Sequence, residues 1–443
     1  MSGGFLLIKS PLLVYCPPAK MAAKFALVFI TLKTLMGTGD VELALGESHS
    51  LLLKQDSSVW SCGLNSDGQL GNDSSIHHSE HFVQAISSGV KCVAAGLSHS
   101  IALKQDDTVW ATGKNSYGQL GDGTTTDKDH FSFVQLFRGA KAVVAGGWHS
   151  MVLTSVGAVW TAGWNKFGQL GDEEISNTTF SPLWQQTAEE AEAVAAGHLH
   201  SLVLKKDGTI WAAGRNGYGQ LGDGSKIDRR SFVQAVDSEG KAVTAVAVAA
   251  GGYHSLALTQ DKRVLATGWN RYGQLGDRRL TTGDRATFEP VFYGAKAIAA
   301  GTRHSIVLTL DGSVWTTGYN QHGQLGDRST NTKTTLLQVI PDGVEAVAAG
   351  GHHSMVLKQD GSVWATGSNE YGQIGDGSTT TMKSFVRVAQ ICDGALGHSV
   401  FAEVEIPPYV CPQKHVSTPK TMPSVDTRLV DRTATIDGAI VLR

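Results

Sequence analysis

Cysteine is scarce in this chain, and the scarcity excludes two classes of protein. The five thiols, Cys16, Cys62, Cys92, Cys392 and Cys411, are odd in number, far apart and without a C-x-x-C pair, so neither a disulfide framework nor a cysteine zinc site is expected. Charge is thin as well. Asp, Glu, Lys and Arg make up 17% of 443 residues and the net charge is −3, which lacks the basic excess that nucleic-acid binding by the whole body would need. Proline avoids the middle: between residues 41 and 400 only Pro182, Pro290 and Pro341 occur, out of 11 in all. Apolar runs are short. FALVFITL, from Phe25 behind Lys20 and Lys24, is too brief for a membrane span, which takes about 20 residues. It is read as a leader, with the weak outline of a secretory signal starting at Met21, or as a closing strand of the fold.

What the chain has is glycine, 52 residues of it, and a period. A Gly-Gln pair begins at Gly68, Gly118, Gly168, Gly219, Gly273, Gly323 and Gly372, with spacings of 50, 50, 51, 54, 50 and 49. Upstream of each lies a His-Ser pair, at His49, His99, His149, His200, His254, His304 and His353. Between the two stands a Val-Trp in five units (Trp60, Trp110, Trp160, Trp315 and Trp364), an Ile-Trp at Trp211 and Leu265 in the fifth unit.

Local chemistry resolves one unit into four strands. In the second, KCVAAG from Lys91 is a short apolar run, HSIALK from His99 alternates like a half-buried strand, VWATG from Val109 is a third and FVQLF from Phe133 a fourth. The Asp-Gly pairs at Asp207-Gly208, Asp311-Gly312 and Asp360-Gly361 are read as two-residue hairpins. Four antiparallel strands repeated seven times predict an all-β, seven-bladed β-propeller over residues 41–404, flanked by an N-terminal tail, 1–40, and a proline-containing tail, 405–443. An eighth His-Ser at His398 leads us to expect that sequence near Val400 pairs with or caps the first unit.

The composite pattern GxxHS, VWxxGxN, GQLGDG resembles the regulator of chromosome condensation repeat family, over residues 41 to 400 or so. The resemblance implies a seven-bladed propeller. It also brings a function to weigh, guanine-nucleotide exchange on a small GTPase, which in the founding member is attributed to a wedge inserted in the ring. Here the longest unit exceeds the shortest by only five residues, so no such wedge is visible. The family's ultraviolet-B photoreceptor uses GWRH in successive blades; this chain has GGWHS at Trp148 and then GHLHS, GGYHS and GTRHS.

GQLGDG itself is read as a joint rather than a phosphate cradle. No helical period follows and no Lys succeeds the second glycine, so the helix N-terminus that holds a phosphate is missing. The glycines are expected at positive φ, and Asp122, Asp172, Asp223, Asp277, Asp327 and Asp376 as Asx turns. The seven histidines are read as hydrogen-bonded structural groups and the Val-Trp tryptophans as core. No catalytic residue, metal or cofactor is expected.

Recognition must then come from what varies between units. If strands alternate in direction, the turn before His-Ser and the GQLG loop share a face. The residue before the histidine is Ser48, Ser98, Trp148, Leu199, Tyr253, Arg303 or His352, and the residue before the Asn is Leu64, Lys114, Trp164, Arg215, Trp269, Tyr319 or Ser368. Trp148, Tyr253, Arg303, His352, Trp164, Arg215, Trp269 and Tyr319 are of types enriched in interface hot spots. Lys226 to Lys333 carries 14 Lys and Arg against 9 Asp and Glu, which favours an acidic partner surface. The expectation is a non-enzymatic, cytoplasmic interaction scaffold for a protein partner, with exchange on a small GTPase and secretion as the alternatives.

Overall fold

The computed structural model describes residues 41–172, 179–277 and 283–391. Seven four-stranded antiparallel sheets follow one another, each built from consecutive strands. The first blade is β1 (Glu42–Leu45), β2 (His49–Leu53), β3 (Val59–Leu64) and β4 (His78–Ile86). The others occupy residues 90–136, 140–188, 191–234, 247–293, 295–340 and 344–390. The first strand of every blade faces the axis, and Leu45, Ala95, Ala145, Ala196, Ala250, Ala300 and Ala349 line a narrow central cavity there. Alanine at this position in six of the seven blades lets the strands converge. No helix occurs among the described residues.

Blade-to-blade packing is apolar, for example Ile101, Leu103 and Val109 of the second blade against Val143 and Val152 of the third. Within this greasy wall runs a polar relay. Ser100 Oγ donates its proton to the Gln69 carbonyl at 2.7 Å, so toward His49 Nε2, 2.9 Å away, it can only accept. The imidazole is therefore the Nε2–H tautomer, and its bare Nδ1 has no partner. The same bond recurs as His99–Ser150, His149–Ser201, His200–Ser255, His254–Ser305 and His304–Ser354. His353 Nε2 to Ser50 Oγ, at 2.8 Å, closes the circle between the last and first blades. The segment near Val400 and His398 lies outside the described residues.

The GQLGDG loop is the second fastener. Gly118 and Gly121 both sit at φ +73°; a Cβ on Gly121 would fall 2.2 Å from the Trp184 indole of the next blade. Asp122 accepts from Thr124 N at 2.9 Å and from Asn115 Nδ2 at 3.1 Å, while Gly123 N reaches the Pro182 carbonyl of the neighbouring blade at 2.9 Å. Asp223, Asp327 and Asp376 make the same Asx turn.

Two local expectations need correction. The Asp-Gly hairpins are three-residue loops, not two: Gly208 alone is left-handed, at φ +86°, and its N–H bonds the Lys205 carbonyl at 2.9 Å. That is a type I turn closed by a left-handed residue, a site which Ser57, Asp107 and Lys262 occupy in other blades. The tryptophans are packed against the interblade apolar clusters as expected, but they are half-buried rather than fully interior; the valine before them, or Ile210, is fully buried. In four blades the indole also lies under an ammonium, as in Lys104 over Trp110 at 3.7 Å, with Trp110 Nε1 donating to Thr108 at 2.9 Å.

Two outcomes follow from the relay. Burial holds six ring histidines at a pKa of about 3 and His49 at about 4, against 6.5 for the free side chain. The unfolded chain thus binds protons that the folded chain refuses, and stability falls as pH drops from 6.5 toward 4. Calorimetry at pH 5 in buffers of differing ionisation enthalpy should show roughly seven protons taken up on unfolding from this source. Ser201→Ala strands both His149 Nε2–H and the Gln169 carbonyl, and urea denaturation should register a loss of about 2 kcal/mol or more.

Candidate protein-interaction face

Every blade ties its two variable positions together by a backbone bond. Trp164 N bonds the Trp148 carbonyl, Arg215 N that of Leu199, Trp269 N that of Tyr253 and Ser368 N that of His352, each at 2.8 Å, and Tyr319 N that of Arg303 at 2.9 Å. Glycine makes this possible. Gly214, just before Arg215, has φ +109°, and a Cβ there would meet the Leu199 oxygen at 2.4 Å. The two variable rings therefore share one face, opposite the hairpins, as the strand alternation predicts.

Side chains join them into one band. Trp164 stacks on Tyr117 at 5.3 Å and meets Trp148 edge-on at 5.3 Å. Arg215 lies over Phe167, Tyr218 and Tyr253 at 5.2, 5.7 and 5.6 Å. Trp269 touches Tyr253 and Tyr272 at 5.8 and 5.2 Å, Tyr272 meets Tyr319 at 4.9 Å, and Arg303 covers both at 5.8 and 5.6 Å. His352 ends the series against Tyr319 and His322 at 5.9 and 4.8 Å. All eight residues singled out from the sequence thus fall on a single arc spanning the third to the seventh blades. Each is half-buried: stacked on its neighbours, yet still open on its outer side.

Comparison with known families gives the arc a context. A model of the RCC1-like domain matches residues 24–292, and models of the regulator of chromosome condensation (RCC1) repeat match 295–324, 311–357 and 344–373. The chain belongs to the RCC1-like domain family. Among curated relatives, the probable E3 ubiquitin-protein ligase HERC4 of Rattus norvegicus is 40% identical over 83 residues, which is 19% of this chain and 8% of the ligase. The protein RCC2 homolog of Xenopus laevis is 38% identical over 94 residues, 20% of this chain and 18% of that protein. The chain thus matches only a small part of either relative. Among solved structures, human WBSCR16 aligns with a TM-score of 0.67 at 22% identity, covering 75% of this chain and 93% of that one. Yeast RCC1 (Prp20), bound to Kap60, aligns with a TM-score of 0.69 at 19% identity, covering 86% and 91%.

The mouth of this RCC1-like ring has its own polar cluster, which the unit-by-unit reading missed. Glu47 leans over the axis from the first blade, accepts from Thr302 Oγ1 of the sixth at 2.9 Å, and lies 3.8 Å from His198 of the fourth and 3.5 Å from His352 of the seventh. Burial pushes both imidazoles below their ordinary pKa while the carboxylate pulls the other way. A second omission is the residue after each Asn. Ser66, Ser116, Lys166, Gly217, Arg271, Gln321 and Glu370 are exposed, at the tip of every loop. Their variability was as plain as that of the rings chosen, but no recurrent motif drew attention to them. Charge also sorts differently from the sequence count. Arg229 is spent on Asp223 at 2.8 Å and Arg285 on Asp277 and Glu289; Arg278 and Arg279 lie outside the described residues. Among the described residues, Asp73, Asp129 and His130, all exposed, have carboxylate and imidazole atoms within 4.8 Å of one another. No described helix is long and apolar enough to cross a membrane.

The arc should behave as display, not as fastening. Arg215→Ala or Arg303→Ala removes cation–π contacts alone and should lower unfolding free energy by about 1 kcal/mol or less. Asn216→Ala, which takes away the amide bonding Leu221 N, Asp223 and Ser225, should cost about 2 kcal/mol or more in the same urea titration.

Proposed function

We propose that this RCC1-like chain is a non-catalytic, regulatory platform that receives a protein partner on the arc running from Trp148 and Trp164 to His352. The observation that carries the reading is the division of labour around the ring. Side chains that recur in the blades are consumed in holding it shut, whereas Trp148, Arg215, Tyr253, Trp269, Arg303 and Tyr319 hold no recurrent joint and are collected on one face. Rigid aromatics beside guanidiniums supply large contact area with little ordering entropy, the usual make-up of a hot spot. Yeast RCC1 (Prp20) has been solved bound to Kap60, and Prp20p has binding properties toward Gsp1p and histones, a precedent for protein recognition on this fold. Buried free thiols at Cys62 and Cys92 suit a reducing, cytoplasmic setting.

A photo-crosslinking amino acid placed at Trp269 should capture a discrete partner in cells, whereas the same probe at exposed Val156 on the hairpin face should not. Capture only from Val156 would overturn the reading. In parallel, the purified chain should leave the release of labelled nucleotide from small GTPases at its spontaneous rate; accelerated release would replace the platform by an exchange factor.

A further inference from the structure

Cations near the arc divide into two populations. Several are neutralised within the chain: Lys114 by Asp67 and Asp127 at 3.0 and 3.2 Å, Lys128 by Asp122 at 3.6 Å, Lys226 by Asp284 at 3.6 Å and Lys333 by Asp327 at 3.2 Å, whereas Arg328 and Lys383, exposed at the rim of the sixth and seventh blades, make no ion pair among the described residues. Lys166, Arg215, Arg271 and Arg303 make no ion pair among the described residues. They belong to the third to sixth blades. Lys166 and Arg271 stand exposed at the loop tips, while Arg215 and Arg303 lie among the rings. Arg303 Nε is buried without any hydrogen-bond partner, and so is Nδ1 of the adjacent His352. A buried guanidinium N–H left unsatisfied is costly, and its natural complement is an oxyanion. Among the described residues, the loop carboxylates of these blades are already held within their own loops, as Asp223 by Arg229, Asp228 by Asn216 N, Asp277 by Arg285, Asp284 by Lys226 and Asp327 by Lys333; Asp67 and Glu370 are in the first and seventh blades, and Glu47, at the axis, is engaged by Thr302.

We propose that Lys166, Arg215, Arg271 and Arg303 hold an acidic segment of the partner protein, whose carboxylates replace the ion pairs the chain itself does not make and whose apolar side chains rest on Trp164, Tyr253 and Trp269. This rests on the arc being the binding face and adds the chemistry of what binds. A guanidinium sandwiched on aromatic rings is already oriented and partly desolvated, so its pairing with a carboxylate loses less to ordering than that of a free surface lysine. Single-stranded nucleic acid would offer the same anionic charge, but base stacking needs open ring faces. Here Tyr117 already stacks on Trp164, and Trp269 is contacted by Tyr218, Tyr253 and Tyr272.

The test is fluorescence anisotropy of the full chain with a short labelled peptide of Asp, Glu and Phe, beside the same peptide with Asn and Gln in place of the acids, and a labelled oligothymidine. The acidic peptide should bind at least about tenfold tighter than its amide counterpart, and more weakly as salt rises. The doubly substituted Arg215→Gln, Arg303→Gln chain should lose about tenfold in affinity, while Lys54→Glu, Lys206→Glu on the hairpin side should lose none. The neutral glutamines keep the rings packed, and circular dichroism melting confirms that each variant is folded. Equal binding of the two peptides, absence of binding, indifference to the arginine substitutions, or tighter binding of oligothymidine lost with the same arginines would each overturn the proposal. If the peptide fails while the probe at Trp269 still captures a partner, the platform stands and the acidic occupant falls.

Discussion

The ring is held shut by a serine hydroxyl that must do two things at once. It donates to a glutamine carbonyl of the preceding blade and accepts from that blade's histidine, all within an apolar wall where an unmade bond would be expensive. Because one proton cannot be given twice, the tautomer of every histidine is dictated, and because the last histidine finds the first serine, the chain has no free edge at the axis. Hydrophobic packing between blades is larger in total but non-directional. The relay adds direction, since each serine must meet a glutamine carbonyl and a histidine Nε2 across the blade junction at one relative placement of the two blades.

That constraint explains where variation is tolerated. Histidine, serine, glutamine, asparagine and the loop aspartate each have partners across a blade or loop junction and cannot change singly without leaving a buried group unsatisfied. The positions before the histidine and before the asparagine share only a backbone bond as their recurrent contribution to the scaffold, so their side chains differ from blade to blade, from buried Leu199 to Lys114 paired with Asp67. Gathering the free positions on one face is a consequence of strand alternation, and it turns a structural requirement into a binding surface. The opposite face carries the hairpins and, in four blades, a tryptophan covered by a lysine; these features largely repeat and offer little to distinguish one partner from another.

Most of the fold was legible because repetition multiplies weak signals. One GQLGDG means little; seven at near-constant spacing, each preceded by His-Ser, leave only a closed ring of small sheets. The Asx role of Asp122 and the shared face of the variable rings followed from local rules. Misreadings arose where two conformations satisfy the same residues. Asp-Gly serves a two-residue hairpin or a type I turn closed by a left-handed glycine, and only the strand pairing of the blade selects the second. Val-Trp suggested two core residues, and alternation does send the two side chains into the apolar layers on opposite faces of the blade, as Val109 and Trp110 show; the indole, however, is only partly covered there, and in four blades a lysine lies over it.

By itself, then, the order of residues determined the number of blades, their strand content and which positions are scaffold, because these depend on periodicity and on short-range chemistry that each unit repeats. Only the tertiary structure decided which cations remain unpaired and which groups meet at the axis. Lys114 and Arg215 occupy equivalent places in their units, yet one is quenched by aspartates of two loops and the other is left among rings. Glu47 and His198 are far apart in sequence and face each other across the mouth. Such outcomes turn on distances between blades, which no single repeat contains.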